Sequence, residues 1–404
     1  MLGNLLKKLI TTGTLRVIRA TGETIVISGQ EPGPDVTMRL HDKATERKLT
    51  LNPSLALGEA FMDGKLTVEN GDVYSLLELC LINVGWGHGS HWLPRSLASF
   101  RKLTRRVAQW NPARRAKRNV AHHYDLSDTL YDLFLDNDKQ YSCAYYMNEN
   151  QTLEQAQNNK KCHIAAKLLL DEKHRVLDIG SGWGGLGMYL SRVSGAQVTG
   201  ITLSTEQQKV ATERATVAGL SDRVSFRLED YRHKTDRFDR IVSVGMFEHV
   251  GVGHYKEFFA KLRDLLTDDG VALIHTIGRA DGPGSTNPWL AKYIFPGGYT
   301  PALSEIVPIV EKVGLYITDI EVLRLHYAST LKDWRRNFNV NRNKILQIYD
   351  ERFCRMWDFY LAGCEAAFRY GGQLNFQIQI ATRQDAVPLT RDYIANWEKK
   401  HALS

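Results

Sequence analysis

The chain has 404 residues, more than one ordinary hydrophobic core holds, so two domains are expected. Its composition, 43% hydrophobic and 24% charged, is that of a folded soluble protein, and without eighteen apolar residues in a row no transmembrane helix is expected. The net charge is +7, but eight cations between Arg101 and Arg118 exceed that surplus and leave about −1 for the rest of the chain.

Met1–Ile10 carries Lys7 and Lys8 with no apolar run behind them, so no signal peptide is expected. Thr14–Ser28 is rich in Val, Ile and Thr and broken at Thr21-Gly22, the pattern of a hairpin. Val36, Met38 and Leu40 alternate as in a strand, and Leu55–Asp63 and Val73–Val84 read as helices. Gly85, Gly87 and Gly89 mark a loop. His88 and His91 lie there, but no carboxylate or cysteine completes a metal set, so no metal is expected. Residues 1–100 thus form a small N-terminal α/β domain.

Residues 101–119 form a basic linker, with Arg101, Lys102, Arg105, Arg106, Arg114, Arg115, Lys117 and Arg118 and no acid up to Arg118. Such a segment attracts anions, either lipid headgroups or nucleic acid; a solvated linker helix is the plainer alternative.

From residue 120 to 404 the pattern changes. Thr152–Leu170 is a helix opened by a Thr152/Gln155 capping box. Strands at Arg175–Ile179, Ala196–Ile201, Val224–Leu228, Phe238–Val244 and Val271–Thr276 alternate with helices, including Thr205–Ala218 and Tyr255–Leu266. That alternation predicts a doubly wound, Rossmann-like α/β sheet. The cysteines Cys80, Cys143, Cys162, Cys354 and Cys364 show neither CxxC nor Cys/His spacing, which points to free thiols.

Three motifs end successive strands. Asp178-Ile179-Gly180-Ser181-Gly182-Trp183-Gly184 follows the first and opens a helix, and its glycines let a ligand approach the backbone. The spacing is Asp-x-Gly-x-Gly rather than GxGxxG. An acid there suits an aminoacyl ammonium better than a pyrophosphate, which favours S-adenosylmethionine over NAD. The second motif has Thr202, where many nucleotide-binding sheets carry an acid for the ribose, with Gln207 one turn into the helix as a substitute. In the third, Asp230 can accept from an adenine amino group and Tyr231 can pack on the ring. Each alone could be an ordinary strand end; together they sit where such a sheet binds its ligand.

These stretches resemble the cyclopropane-fatty-acyl-phospholipid synthases, and more distantly the mycolic acid cyclopropane synthases. The likeness is carried by His123-Tyr124-Asp125-Leu126, Gln140-Tyr141-Ser142-Cys143, the glycine loop, Ile201-Thr202-Leu203-Ser204, Asp230-Tyr231-Arg232, Gly245-Met246-Phe247-Glu248-His249, His275-Thr276-Ile277-Gly278 and Phe295-Pro296-Gly297-Gly298. Leu57-Gly58-Glu59-Ala60-Phe61-Met62-Asp63-Gly64 extends it into the N-terminal domain, as in the phospholipid-acting members. Ser181 stands where the family often has cysteine.

The resemblance implies a methylene transfer from S-adenosylmethionine to the cis double bond of a phospholipid acyl chain, closing a cyclopropane ring. It implies a bicarbonate ion as general base, held by Cys143, Glu248, His275, Ile277 and Tyr327, with Ile277 contributing its backbone. Glu248 alone could also be read as the base, and His249 as a packing residue. Tyr141, Ser142, Trp183, Leu203 and Arg232 join Asp178, Gly180, Gly182, Thr202, Gln207, Asp230 and Tyr231 as cofactor residues. Cys364 aligns with a cysteine assigned to the family's active site; since methyl transfer to an alkene needs no thiolate, a buried small hydrophobe is the simpler reading. Tyr124, Tyr146, Phe247 and Trp289 could stabilise a carbocation with their ring faces. The expected setting is the inner face of the cytoplasmic membrane, with an anionic bilayer as partner, no nucleic acid, and a homodimer.

Overall fold

The protein is described by a computed structural model covering residues 2–84 and 127–401. The basic segment 101–118, His88, His91 and Tyr124 lie outside the described residues. The chain falls into two compact units.

The first unit is built on strands β1 (Thr12–Ile18), β2 (Thr24–Ser28), β3 (Glu31–Leu40) and β4 (Leu66–Asn70), in the order β2-β1-β3-β4. The expected hairpin is β1–β2, antiparallel with Thr14 opposite Ser28, and its turn places Gly22 at φ 85°. Val36, Met38 and Leu40 of β3 are buried, as their alternation requires.

Gly284–Pro296 and Ala328–Gln373 group with residues 2–84 rather than with the glycine-loop sheet. The long helix Glu351–Tyr370 packs on helices Val73–Val84 and Pro53–Met62, with Phe359 6.0 Å from Phe61 and Tyr370 Oη donating to Glu78 at 2.7 Å. A four-stranded sheet of short strands buries too little apolar surface alone. The side chains of Trp357, Phe359, Tyr360, Leu361 and Phe368 on that helix add to it.

The second unit holds β5 (Arg175–Ile179), β6 (Gln197–Thr202), β7 (Val224–Leu228), β8 (Phe238–Val244), β9 (Leu266–Arg279), β10 (Tyr316–Leu323) and β11 (Gln373–Ala381). Their order is β10-β11-β9-β8-β5-β6-β7. From β9 to β7 neighbouring strands run parallel, and β10–β11 is an antiparallel pair at the edge. Apolar clusters cover both faces, one around Leu177, Ile241, Phe258 and Ile274, the other around Val176, Leu190, Val242 and Leu273. Burial on both faces explains the near-continuous apolar runs of β5 and β8. Strand order reverses between β5 and β8, and a sheet of this type opens a crevice at the carboxyl ends beside that point. Among the described residues no helix is long and apolar enough to cross a membrane, and no cluster of three His, Cys, Asp or Glu could hold a metal ion.

Candidate active site

After β5 the chain turns through Gly180, Gly182 and Gly184 at φ 87°, 53° and 83°. The amides of Gly180 and Ser181 donate to the Ile201 carbonyl at 2.9 and 3.0 Å, which ties the loop to β6. A Cβ on Gly180 would come 2.9 Å from Met246 Cβ, whereas one on Gly182 would meet nothing within 4 Å. Gly182 is therefore the glycine with open space beside it. Helix Gly185–Ser194 begins directly after, without a side-chain cap.

The cleft at these strand ends is lined by Gly180 and Gly182, by Thr202, Leu203 and Gln207 from β6 and the next helix, and by Asp230, Tyr231 and Arg232 after β7. The Thr202 hydroxyl donates to Gln207 Oε1 at 3.0 Å with both residues buried, so these two side chains form a pair at the cleft wall. Asp230 accepts from the Arg232 amide at 3.0 Å and from its guanidinium at 2.9 and 2.6 Å. Burial alone would raise the Asp230 carboxyl; these bonds outweigh it and hold it below the usual range. Tyr231 lies edge-on to Phe258 at 5.4 Å. Val244, Gly245, Met246 and His249 complete the wall after β8. His249, pushed down to about 4 by burial, is neutral there.

Four expected cofactor residues are not on this wall. Asp178, near the end of β5, is buried, its Oδ2 lacks a hydrogen-bond partner, and burial pushes its carboxyl up to about 7 against the opposing charge of Lys160. Trp183 Nε1 donates to Asp128 at 3.0 Å, and its ring lies 4.9 Å from Tyr131. Tyr141 packs on the same Tyr131 at 5.5 Å, so Tyr131 links it to Trp183 of the loop. Ser142 accepts from the Lys160 ammonium at 2.8 Å.

A second group sits where β8 and β9 end. Glu248 is buried, and its Oε1 accepts from the Ile277 amide at 2.6 Å. Its Oε2 is buried without a hydrogen-bond partner, and burial pushes the carboxyl up to about 7. His275, two residues before Ile277 on β9, is held between Asn375 at 3.1 Å and Gln377 at 3.2 Å of β11. Burial pushes its ring down to about 3, so it is neutral, with one N–H and one acceptor nitrogen; one of the two amides presents its oxygen to that N–H. Cys143 is fully buried, and Tyr327 is buried at the start of helix His326–Val340. Next to Tyr327, His326 Nδ1 accepts from the Tyr146 amide at 2.9 Å. The geometry thus joins Glu248 to Ile277 and fixes His275 on the same strand. Asn375 and Gln377, absent from the sequence reading, had no local signal beyond polar residues alternating in a strand.

The family model of mycolic acid cyclopropane synthetase matches residues 111–378. The chain belongs to this family. A model of a domain of unknown function (DUF7884) matches residues 1–84. The cyclopropane-fatty-acyl-phospholipid synthase of Escherichia coli K12 is 37% identical over 347 residues, covering 85% of this chain and 87% of the relative. A probable fatty acid methyltransferase of Pseudomonas putida is 37% identical, covering 84% and 85%. The mycolic acid cyclopropane synthase CmaA1, solved with SAH and CTAB, superposes with a TM-score of 0.63 at 31% identity, covering 68% of this chain and 99% of that one. As a member of the cyclopropane synthetase family, the protein is an S-adenosylmethionine-dependent methyltransferase on a Rossmann-like sheet.

Within this family member, two of the expected cation-stabilising rings, Phe247 and Trp289, are buried. Phe247 has no exposed surface and packs among Tyr255, Phe258 and Phe259, at 4.5 Å from the first, so it belongs to the core. Trp289 lies in the first unit, 4.7 Å from Phe359, with its Nε1 against Met62 Sδ at 3.1 Å. Cys364 also lies in the first unit, on helix Glu351–Tyr370, and burial pushes its thiol up to about 12. A thiol with that pKa is not a thiolate nucleophile near neutral pH.

Proposed function

We propose that this enzyme carries the methyl carbon of S-adenosylmethionine onto the cis double bond of an unsaturated phospholipid acyl chain and closes a cyclopropane ring. The observation that carries the reading is the Glu248 carboxyl, buried beside the cleft with one oxygen on the Ile277 amide and the other without a partner. The cleft fits the cofactor: positive-φ glycines open the backbone, Thr202 and Gln207 offer a buried polar pair, and Asp230 retains acceptor capacity beyond Arg232. When bound, S-adenosylmethionine supplies an electrophilic methyl group.

Attack by the alkene on that methyl group would break its bond to sulfur, releasing S-adenosylhomocysteine and leaving positive charge on the acyl chain, and ring closure then needs a proton removed from the new methyl group. Bicarbonate, if held by Glu248, His275, Ile277, Cys143 and Tyr327, would supply that base. The donor set fits an anion. A carboxyl poised near neutrality can offer its proton to an anion as a hydrogen-bond donor, whereas His275 would donate its N–H only by exchanging one of its two amide partners. The phospholipid rather than a free acid is supported by the Escherichia coli relative, whose likeness spans 85% of this chain. Docking at the inner face of the cytoplasmic membrane and a homodimer belong to the same proposal.

Lipid mass spectrometry of cells expressing the chain tests it. Unsaturated phospholipid chains should gain the mass of one methylene group, and the product should give the upfield proton resonances of a cyclopropane. A saturated methyl branch instead would remove the ring-closing step, and unaltered phospholipids would remove the substrate.

A further inference from the structure

Helix Leu153–Lys167 buries four cationic or imidazole side chains: Lys160, Lys161, His163 and Lys167. Three are matched by carboxylates. Lys161 pairs with Asp138 at 2.5 Å, His163 lies 2.6 Å from both Glu321 and Glu398, and Lys167 pairs with Glu321. Lys160 differs. It is fully buried, and its Nζ donates to two neutral acceptors, Gln140 Oε1 at 2.7 Å and Ser142 Oγ at 2.8 Å. Among the described residues no carboxylate lies within ion-pair distance of it. A buried ammonium without an ion pair destabilises a fold, so a functional reason for its retention is expected.

Its surroundings supply one. Asp178, just before the glycine loop, has a buried oxygen without a hydrogen-bond partner, and Lys160 is the charge that acts on it. Cys143, Asp136, Asp138 and Lys161 also share the field of this ammonium, as does His275 on β9. Gln140 and Ser142, the two acceptors, flank Tyr141, which packs against Tyr131, itself in contact with Trp183 of the glycine loop. One ammonium therefore touches the segment before Cys143 and acts on both the glycine-loop strand and the His275 strand.

We infer that Lys160 is a positioning residue for methyl transfer: its ammonium fixes the Gln140–Ser142 segment against helix Leu153–Lys167 and supplies the buried counter-charge to Asp178. This rests on the reading of the cleft as the S-adenosylmethionine site. Lys160 acts through Ser142 and Asp178. Without the ammonium Asp178 takes up a proton more readily, and the end of β5 before the loop loses that charge.

The test compares Lys160→Met, Lys160→Gln and Lys160→Arg in the full chain, with S-adenosylmethionine binding by calorimetry and turnover against pH. In Lys160→Met the KM for S-adenosylmethionine should rise tenfold or more, and the acidic limb of the pH profile should move to higher pH. Lys160→Gln, which keeps a bond to Ser142 but no charge, should move the limb equally while raising KM less. Lys160→Arg should restore the limb. In an Asp178→Asn background the Lys160 variants should no longer move it. If Lys160→Met does not fold, the Gln and Arg variants carry the same contrast. An unchanged KM and superimposable pH profiles in folded variants overturn the inference. Absence of S-adenosylmethionine binding by the parent chain would instead overturn the reading beneath it.

Discussion

The amide of Ile277 donates to Glu248 Oε1 at 2.6 Å, while Glu248 Oε2 is buried with no hydrogen-bond partner. One oxygen is thus fixed by the backbone of β9, and the other is buried without a partner in hydrogen-bonding geometry. This half-satisfied carboxyl carries both a catalytic and a stability prediction.

Glu248→Gln should keep the Ile277 bond, lose turnover by on the order of a hundredfold or more, and bind S-adenosylmethionine as the parent does. The sign of its stability effect depends on pH. The folded carboxyl titrates at about 7 against an ordinary 4.5, so the folded state binds the proton more tightly than the unfolded one. Its stabilising contribution is full below 4.5 and is lost as pH rises through 7. The Gln variant should therefore be more stable than the parent at pH 8, by roughly 1–3 kcal/mol, and no more stable near pH 4 to 5. Denaturant titrations at the two pH values measure this. Wild-type turnover in the variant would remove Glu248 from the chemistry.

Gly182→Ala should weaken S-adenosylmethionine binding about tenfold or more with a stability cost of only about 1 kcal/mol, because its Cβ enters open cleft space at φ 53°. Gly180→Val is a poorer probe. Its side chain would strike Met246 at φ 87°, so lost binding there would mix occlusion with misfolding. Calorimetry alongside thermal melts separates the two, and unchanged affinity in folded Gly182→Ala would place the cofactor elsewhere.

Cys364→Ala should turn over within about twofold of the parent. A thiol pushed up to about 12 holds almost no thiolate at pH 7.5, so alkylation of Cys364 by iodoacetamide should also be slow. A hundredfold loss of turnover in the stable variant would restore a chemical role to this cysteine.

Replacing Arg105, Arg106, Arg114 and Arg115 by Gln should weaken sedimentation with anionic vesicles and slow turnover on them, with cofactor affinity unchanged. Each basic residue near an anionic surface contributes roughly 1 kcal/mol, screened by salt. Equal sedimentation of variant and parent at low salt would leave segment 101–118 as a linker.

What the sequence determined by itself was local. The Thr152/Gln155 capping box is present, with the side chain of each bonded to the other's backbone. Strands β5 to β8 occur where period and β-branched content put them, and the Asp-x-Gly-x-Gly loop turns at the predicted glycines. These features depend on residues a few positions apart, whose sterics and hydrogen bonds act before any core forms. Three matters were decided only by tertiary structure. Asn375 and Gln377 reach His275 because β11 inserts beside β9, a pairing across 100 residues that no local pattern specifies. Asp178 is buried, with its Oδ2 close to Gly187 of the following helix, because strand β5 is covered on both faces by apolar clusters that assemble from distant parts of the chain. Helix Glu351–Tyr370 completes the first unit because the apolar surface it buries there is supplied by helices nearly three hundred residues earlier in the chain. Burial energy depends on which surfaces meet, and sequence proximity does not set that.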